Sequence, residues 1–128
     1  MIIGITGTRE GMTDHQLRAV GRYLADRSGE FHHGDCVGVD VQAARIAKYL
    51  GYHVVCHPPV DDVMRAFHDS DEIREPLGYL ARDRKIVESV EVLLVVPKQK
   101  EWQSSGGTWY THDYAKKKGV PIVMFWPE

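Results

Sequence analysis

The 128-residue sequence has little cysteine, no surplus of positive charge and no apolar run long enough to span a bilayer. Each shortage excludes a class. Two cysteines, Cys36 and Cys56, do not make a disulfide framework, which excludes a small cross-linked scaffold. Lys and Arg number 16 against 18 Asp and Glu, a net charge of −2, so the chain lacks the bulk positive field that non-specific DNA binding exploits. The start, Met1-Ile2-Ile3-Gly4, is an apolar strand pattern and not a basic segment followed by a signal core. Internal repeats and low-complexity stretches are also missing. What remains is ordinary globular composition, 43% hydrophobic and 27% charged, enough to bury one core. The expectation is one domain over residues 1–128, soluble and cytoplasmic, with reduced cysteines and no membrane partner.

The dominant pattern is apolar strand, small-residue turn, amphipathic helix, repeated. Strands are expected at Ile2–Ile5, Glu30–His33, His53–Cys56, Val92–Val96 and Pro121–Trp126. Thr13, with Gln16 three residues on, has capping-box spacing and opens a first helix that Ser28-Gly29 ends. Further helices are expected over Val39–Leu50, over Tyr79–Ser89, and from the Gly106-Gly107-Thr108 turn to Lys118. Val92–Val96 is apolar at every residue, as a central parallel strand buried on both faces must be. Residues 60–78 stand apart, with six acids against Arg65 and Arg74. They suggest a lid or mobile loop with a short helix around Val63–Asp69. The alternation implies an α/β, Rossmann-like doubly wound sheet, mainly parallel, of about five strands with helices on both faces.

In such a sheet ligands bind beyond the carboxyl ends of the strands, and three turns of small residues fall there. In Thr6-Gly7-Thr8-Arg9, Gly7 allows close backbone approach, Thr8 offers a hydroxyl and Arg9 a planar fork for phosphate or carboxylate. The other reading is a tight turn with an exposed arginine. In the second turn Gly34 and Gly38 open a helix with free amides, an anion-site pattern. Asp40 there receives ribose hydroxyls or backbone amides, and helix capping by Asp35 or Asp40 is the competing reading. The third turn, Ser104-Ser105-Gly106-Gly107-Thr108, combines amides, hydroxyls and a positive dipole end, and is the strongest phosphate candidate. None of the three closes as a Gly-Lys-Ser/Thr P-loop.

Four motifs in this order resemble the SLOG superfamily of Rossmann-like, nucleotide-binding proteins. They are Ile5-Thr6-Gly7-Thr8-Arg9, Gly34-x-x-x-Gly38-Val39-Asp40-x-x-Ala43, Arg82-Asp83 ahead of the fourth strand, and Gly106-Gly107-Thr108-Trp109 with Ala115 downstream. The similarity spans roughly residues 2 to 126. It resembles, within that group, small stand-alone proteins and, more distantly, the lonely-guy phosphoribohydrolases, which cleave the N-glycosidic bond of nucleoside monophosphates. On that likeness Arg82 matches the family arginine and is the one catalytic candidate, but Thr111 stands where the catalytic glutamate belongs. Glu10, Asp35, Asp40 and Asp113 are the acids that could substitute. The DNA-processing protein is similar over Gly34–Ala43, but Ala44 replaces its histidine and the run Lys116-Lys117-Lys118 suits a helix C-terminus.

The resemblance and the three turns together imply a binding module for a nucleotide or ADP-ribose-like ligand at the carboxyl edge of the sheet, a sensor or sequestering protein. The ligand-binding candidates are Gly7, Thr8, Arg9, Gly34, Gly38, Asp40, Arg82, Ser105, Gly106, Gly107 and Thr108. An N-glycosidase acting on nucleoside monophosphates is the alternative, and single-stranded nucleic-acid binding the second. No dedicated metal or cofactor is expected: His32, His33, Cys36, Cys56 and His57 lack local chelate spacing. Magnesium could accompany ligand phosphates near the acidic stretch. Trp102, Trp109 or Tyr110 could stack on a base or pack structurally, and a homo-oligomer is expected from the Trp-rich C-terminal half.

Overall fold

The computed structural model describes residues 1–103 and 107–128. Among these the chain runs β1 (Ile2–Gly7), α1 (Asp14–Ala25), β2 (Glu30–His33), α2 (Val39–Tyr49), β3 (His53–Cys56), β4 (Glu72–Ile73), α3 (Tyr79–Ser89), β5 (Val92–Val96), α4 (Gly107–Lys118) and β6 (Ile122–Met124). All six strands lie parallel in the order β4-β3-β2-β1-β5-β6. The expected α/β doubly wound sheet is present, with six strands where about five were expected. The addition is β4, whose two residues fall inside the acidic segment and pair with Val55 and Cys56. Two residues carry too little period to be legible as a strand.

Alternation along β5 divides the core. Val92, Leu94 and Val96 pack with Ile3, Ile5 and Phe31 against α1 and α2. Leu93 and Val95 face Ile86, Val87 and Ala115 of α3 and α4. Helices therefore cover both faces, which explains a central strand with no polar residue. At α1 the capping box forms as its spacing predicts: Thr13 Oγ1 accepts from the Gln16 amide at 3.1 Å and Gln16 Oε1 from the Thr13 amide at 3.0 Å. Gln16 does more than cap. Its buried Nε2 donates to Pro97 O and Phe125 O, both at 2.9 Å, and ties together the carboxyl ends of β5 and β6.

No helix forms around Val63–Asp69; its backbone polar groups go elsewhere. The Val37 amide donates to Met64 O at 3.0 Å and the Ala66 amide to Asp35 O at 2.7 Å. Buried Asp35, at φ 58°, accepts from Arg65 Nε at 2.7 Å and from the His68 amide at 2.9 Å. The acidic segment is thus stitched to the carboxyl ends of β2 and β3.

Candidate functional site

The strand order reverses between β1 and β5, where a crevice must open because the loops leave the sheet in opposite directions. A cavity of about 430 Å³ lies there. Its walls come from the Thr6–Glu10 turn after β1, Lys98 and Gln99 after β5, Arg82 and Asp83 of α3, and Gly107 to Trp109 of α4. Cys36 and Asp40 close the inner end. No residue of 60–78 lines it.

Of the sequence candidates, Gly7, Thr8, Arg9, Asp40, Arg82, Gly107 and Thr108 are brought together around this cavity. Ser105 and Gly106 lie outside the described residues. Gly34 and Gly38 do not line it, and the reason is physical. Gly38 has φ 90° and ψ −129°, and a Cβ there would sit 2.5 Å from the Arg9 carbonyl carbon. It is a glycine so that the first turn can cross the start of α2. Gly34 similarly leaves room for Arg82, whose Nη1 a Cβ would meet at 2.7 Å. The amides expected to bind an anion are already engaged. Val39 donates to Thr8 O at 3.1 Å, and Gly34 and Cys36 donate to Asp40 Oδ2 at 3.0 and 3.4 Å. Asp40 therefore receives backbone amides of the turn before α2, as one reading had it, and does not cap the helix, whose N-cap Gly38 has no side-chain cap hydrogen bond.

Arg82 is the hub of the inner wall. Only 5% exposed, it donates through Nε to Asp83 Oδ1 at 2.7 Å, through Nη1 to Gly34 O and to His57 O at 3.4 Å, and reaches Cys36 Sγ through Nη2 at 3.6 Å. One guanidinium thus stands between two buried carboxylates. Burial pushes Asp40 up to about 6 despite Arg82, and raises Asp83 in the same sense. Burial and the Asp40 charge also raise the Cys36 thiol, which makes it an inert wall residue and not a nucleophile.

Among the acids that could replace the missing glutamate, Asp35 is committed to Arg65, and Asp113 accepts from Trp102 Nε1 at 3.0 Å and sits 2.8 Å from His112 Nδ1. Glu10 stands at the mouth, 2.6 Å from Lys98 Nζ, with both side chains 62% exposed. Asp83 is the acid that sequence reasoning missed as an acid. It appeared only as the companion of Arg82, and its position five residues after the Gly78 that caps α3 gave no sign that it would face α4. Trp109, 7% exposed, lines the cavity, whereas Trp102 is 56% exposed outside it.

His33, Asp35 and Cys56 bring possible ligand atoms within 4.8 Å of one another. The histidine chemistry does not suit a cation. His33 Nδ1 accepts the Asp35 amide at 2.9 Å, so the ring proton is on Nε2, which donates to Ser70 Oγ at 2.9 Å. Both ring nitrogens are occupied, and the group anchors the 60–78 segment.

Buried histidines make stability pH-dependent. Burial lowers His33 and His57 to about 3. Below their ordinary value near 6.5 the unfolded chain binds protons that the folded one refuses, so each contribution is present above pH 6.5 and is lost as pH falls toward 3. Asp40 acts oppositely between 6 and 3.8, because its folded carboxyl takes the proton first. His32 and His68 shift in the same direction as these histidines and Asp83 in the same direction as Asp40, so at about 1.4 kcal/mol per pH unit for each group the balance is a net loss on the order of a few kcal/mol between pH 7.5 and 5. Urea unfolding at the two pH values measures it, and equal stability at both would refute the assignment.

The sequence matches no protein-family model and no curated protein. Solved structures do match. The molybdenum cofactor binding protein of Rippkaea orientalis superposes with a TM-score of 0.73 at 24% identity, covering 96% of this chain and 74% of that one. The Moco carrier protein of Chlamydomonas reinhardtii gives 0.71 at 27% identity, covering 97% and 75%. DNA processing protein A of Streptococcus pneumoniae gives 0.70 at 16% identity, covering 95% of this chain but 49% of that one. By its parallel sheet, its switch-point crevice and these likenesses, the chain has a Rossmann-like α/β fold.

Proposed function

We propose that the protein binds a nucleotide or nucleotide-derived, ADP-ribose-like ligand in the β1/β5 cavity, as a sensor or sequestering module. The observation that carries this is the convergence of the turn after β1 with the first residues of α4 on one cavity at the switch point. Thr8 and Arg9 supply a hydroxyl and a guanidinium on one side, Thr108 and the α4 N-terminus lie on the other, and Trp109 is an apolar surface for a base. Two structural neighbours are named for binding or carrying a molybdenum cofactor, which supports small-molecule binding by this fold.

The hydrolase reading is weaker. Thr111, in the place of the family glutamate, donates its hydroxyl to Gly107 O at 2.6 Å and can neither position water nor stabilise a developing cation. Single-stranded nucleic-acid binding is weaker still, because Lys116, Lys117 and Lys118 complement the dipole in the last turn of α4, away from the cavity.

Calorimetry with AMP, ADP-ribose, cyclic ADP-ribose and NAD, with and without magnesium, tests the proposal. At least one is expected to bind, and Arg9→Ala is expected to weaken it about tenfold by removing a charge-assisted hydrogen bond. Heat from none of the four would end the ligand reading.

A further inference from the structure

We propose that Asp83 selects the ligand by accepting from a vicinal hydroxyl pair of its pentose, with the phosphate turned outward toward Arg9 and Lys98. The inference rests on the ligand reading above and deepens it. In Rossmann-like sheets an acid near the end of the second strand commonly receives the ribose. Here Asp35 has both oxygens engaged, by Arg65 and the His68 amide, and Asp40 at the inner end has Oδ2 engaged by the Gly34 and Cys36 amides. The role is open, and Asp83 is placed to fill it.

Asp83 is only 7% exposed yet lines the cavity. Its Oδ1 is held by Arg82 Nε at 2.7 Å, which fixes the carboxylate plane. Oδ2 lies 3.3 Å from the point where a Gly107 Cβ would stand, so any side chain there would crowd the carboxylate. Beside it stands the Thr111 hydroxyl, which donates to Gly107 O at 2.6 Å and also lies within hydrogen-bond reach of the carboxylate. A carboxylate has about four acceptor sites, and among the described residues Arg82 and Thr111 reach two of them. The remainder suit two converging O–H donors.

Charge sets the orientation. The inner wall holds Asp40 and Asp83 against the single cation of Arg82, so a phosphate driven inward would meet a carboxylate at the α4 N-terminus. At the mouth stand Arg9 and Lys98. Lys98 is paired with Glu10 in an exposed bridge of the kind that contributes little and exchanges readily. A ligand with a neutral, donor-rich middle and an anionic end fits this polarity in one direction only.

Calorimetry with AMP and 2′-deoxy-AMP, with ribose 5-phosphate and pyrophosphate as probes lacking a base or a sugar, decides the matter. The wild type is expected to prefer AMP over 2′-deoxy-AMP by about tenfold or more, since the deoxy compound leaves a buried acceptor unpaired. In Asp83→Asn the preference should fall below about threefold, mainly through weaker AMP binding. Should that variant not fold, Asp83→Glu keeps the charge beside Arg82 while moving the free oxygen, and the same collapse is expected. Equal affinity for AMP and 2′-deoxy-AMP in the wild type overturns the selection role and leaves the ligand reading intact. Tighter pyrophosphate binding by Asp83→Asn, with sugar preference unchanged, shows that phosphate sits at the α4 N-terminus and also overturns it. Binding of no probe overturns both.

Discussion

Arg82→Met is expected to destabilise the protein by about 3–5 kcal/mol, the usual cost of removing one partner from a buried ionic cluster. Methionine fills similar space, so packing alone predicts far less. The cost is electrostatic: Asp83 loses its Nε donor, Gly34 O and His57 O lose Nη1, and Asp40 loses the charge that offsets its burial. For a chain of this length the melting temperature should drop by roughly 10–20 °C. Arg82→Lys should rescue little, because one ammonium cannot span the three directions that the guanidinium fork serves. An Arg82→Met protein as stable as the wild type in urea would show that this arginine belongs to a ligand and not to the fold.

Gly38→Ala is expected to cost about 3–5 kcal/mol as the sum of backbone strain and overpacking. The conformation at Gly38, φ 90° and ψ −129°, is one that residues with a Cβ avoid. The new methyl would also lie 2.5 Å from the Arg9 carbonyl and 2.6 Å from Thr8 O, and backbone cannot step aside as a side-chain tip can. Because that backbone forms the cavity wall, ligand affinity should fall with stability. Gly51→Ala is the internal comparison. Gly51 has φ 92° with no atom within 4 Å of a Cβ, so strain alone applies, at about 1 kcal/mol. Similar losses at both positions, measured by thermal or urea unfolding, would remove the close-approach explanation for Gly38.

These two variants mark where reading the sequence and reading the structure part. Gly34 and Gly38 have the spacing of an anion-binding turn, and that pattern is local. Their function is not local: each exists because another part of the chain, Arg82 or the Thr8–Arg9 backbone, passes within contact distance. The same holds for Asp35, a capping candidate in sequence that instead holds Arg65, 30 residues away. Acid placement shows it most clearly. Asp40 belonged to a recognisable motif and spends one oxygen on the amides of its own turn at the cavity's inner end, whereas Asp83 looked incidental and lines the same cavity.

The order of strands and helices, the all-apolar β5, the Thr13–Gln16 box and the crevice beyond the strand ends are consequences of periodicity, capping chemistry and chain handedness, all of which act over a few residues or by general rule. They were legible from the sequence alone. Which carboxylate is neutralised, which glycine admits a neighbour, and that a two-residue β4 extends the sheet depended on contacts between residues 17 to 81 positions apart. A hydrogen-bonding group has the same identity in every sequence, but its partner, and so its function, exists only once the turns meet across the sheet.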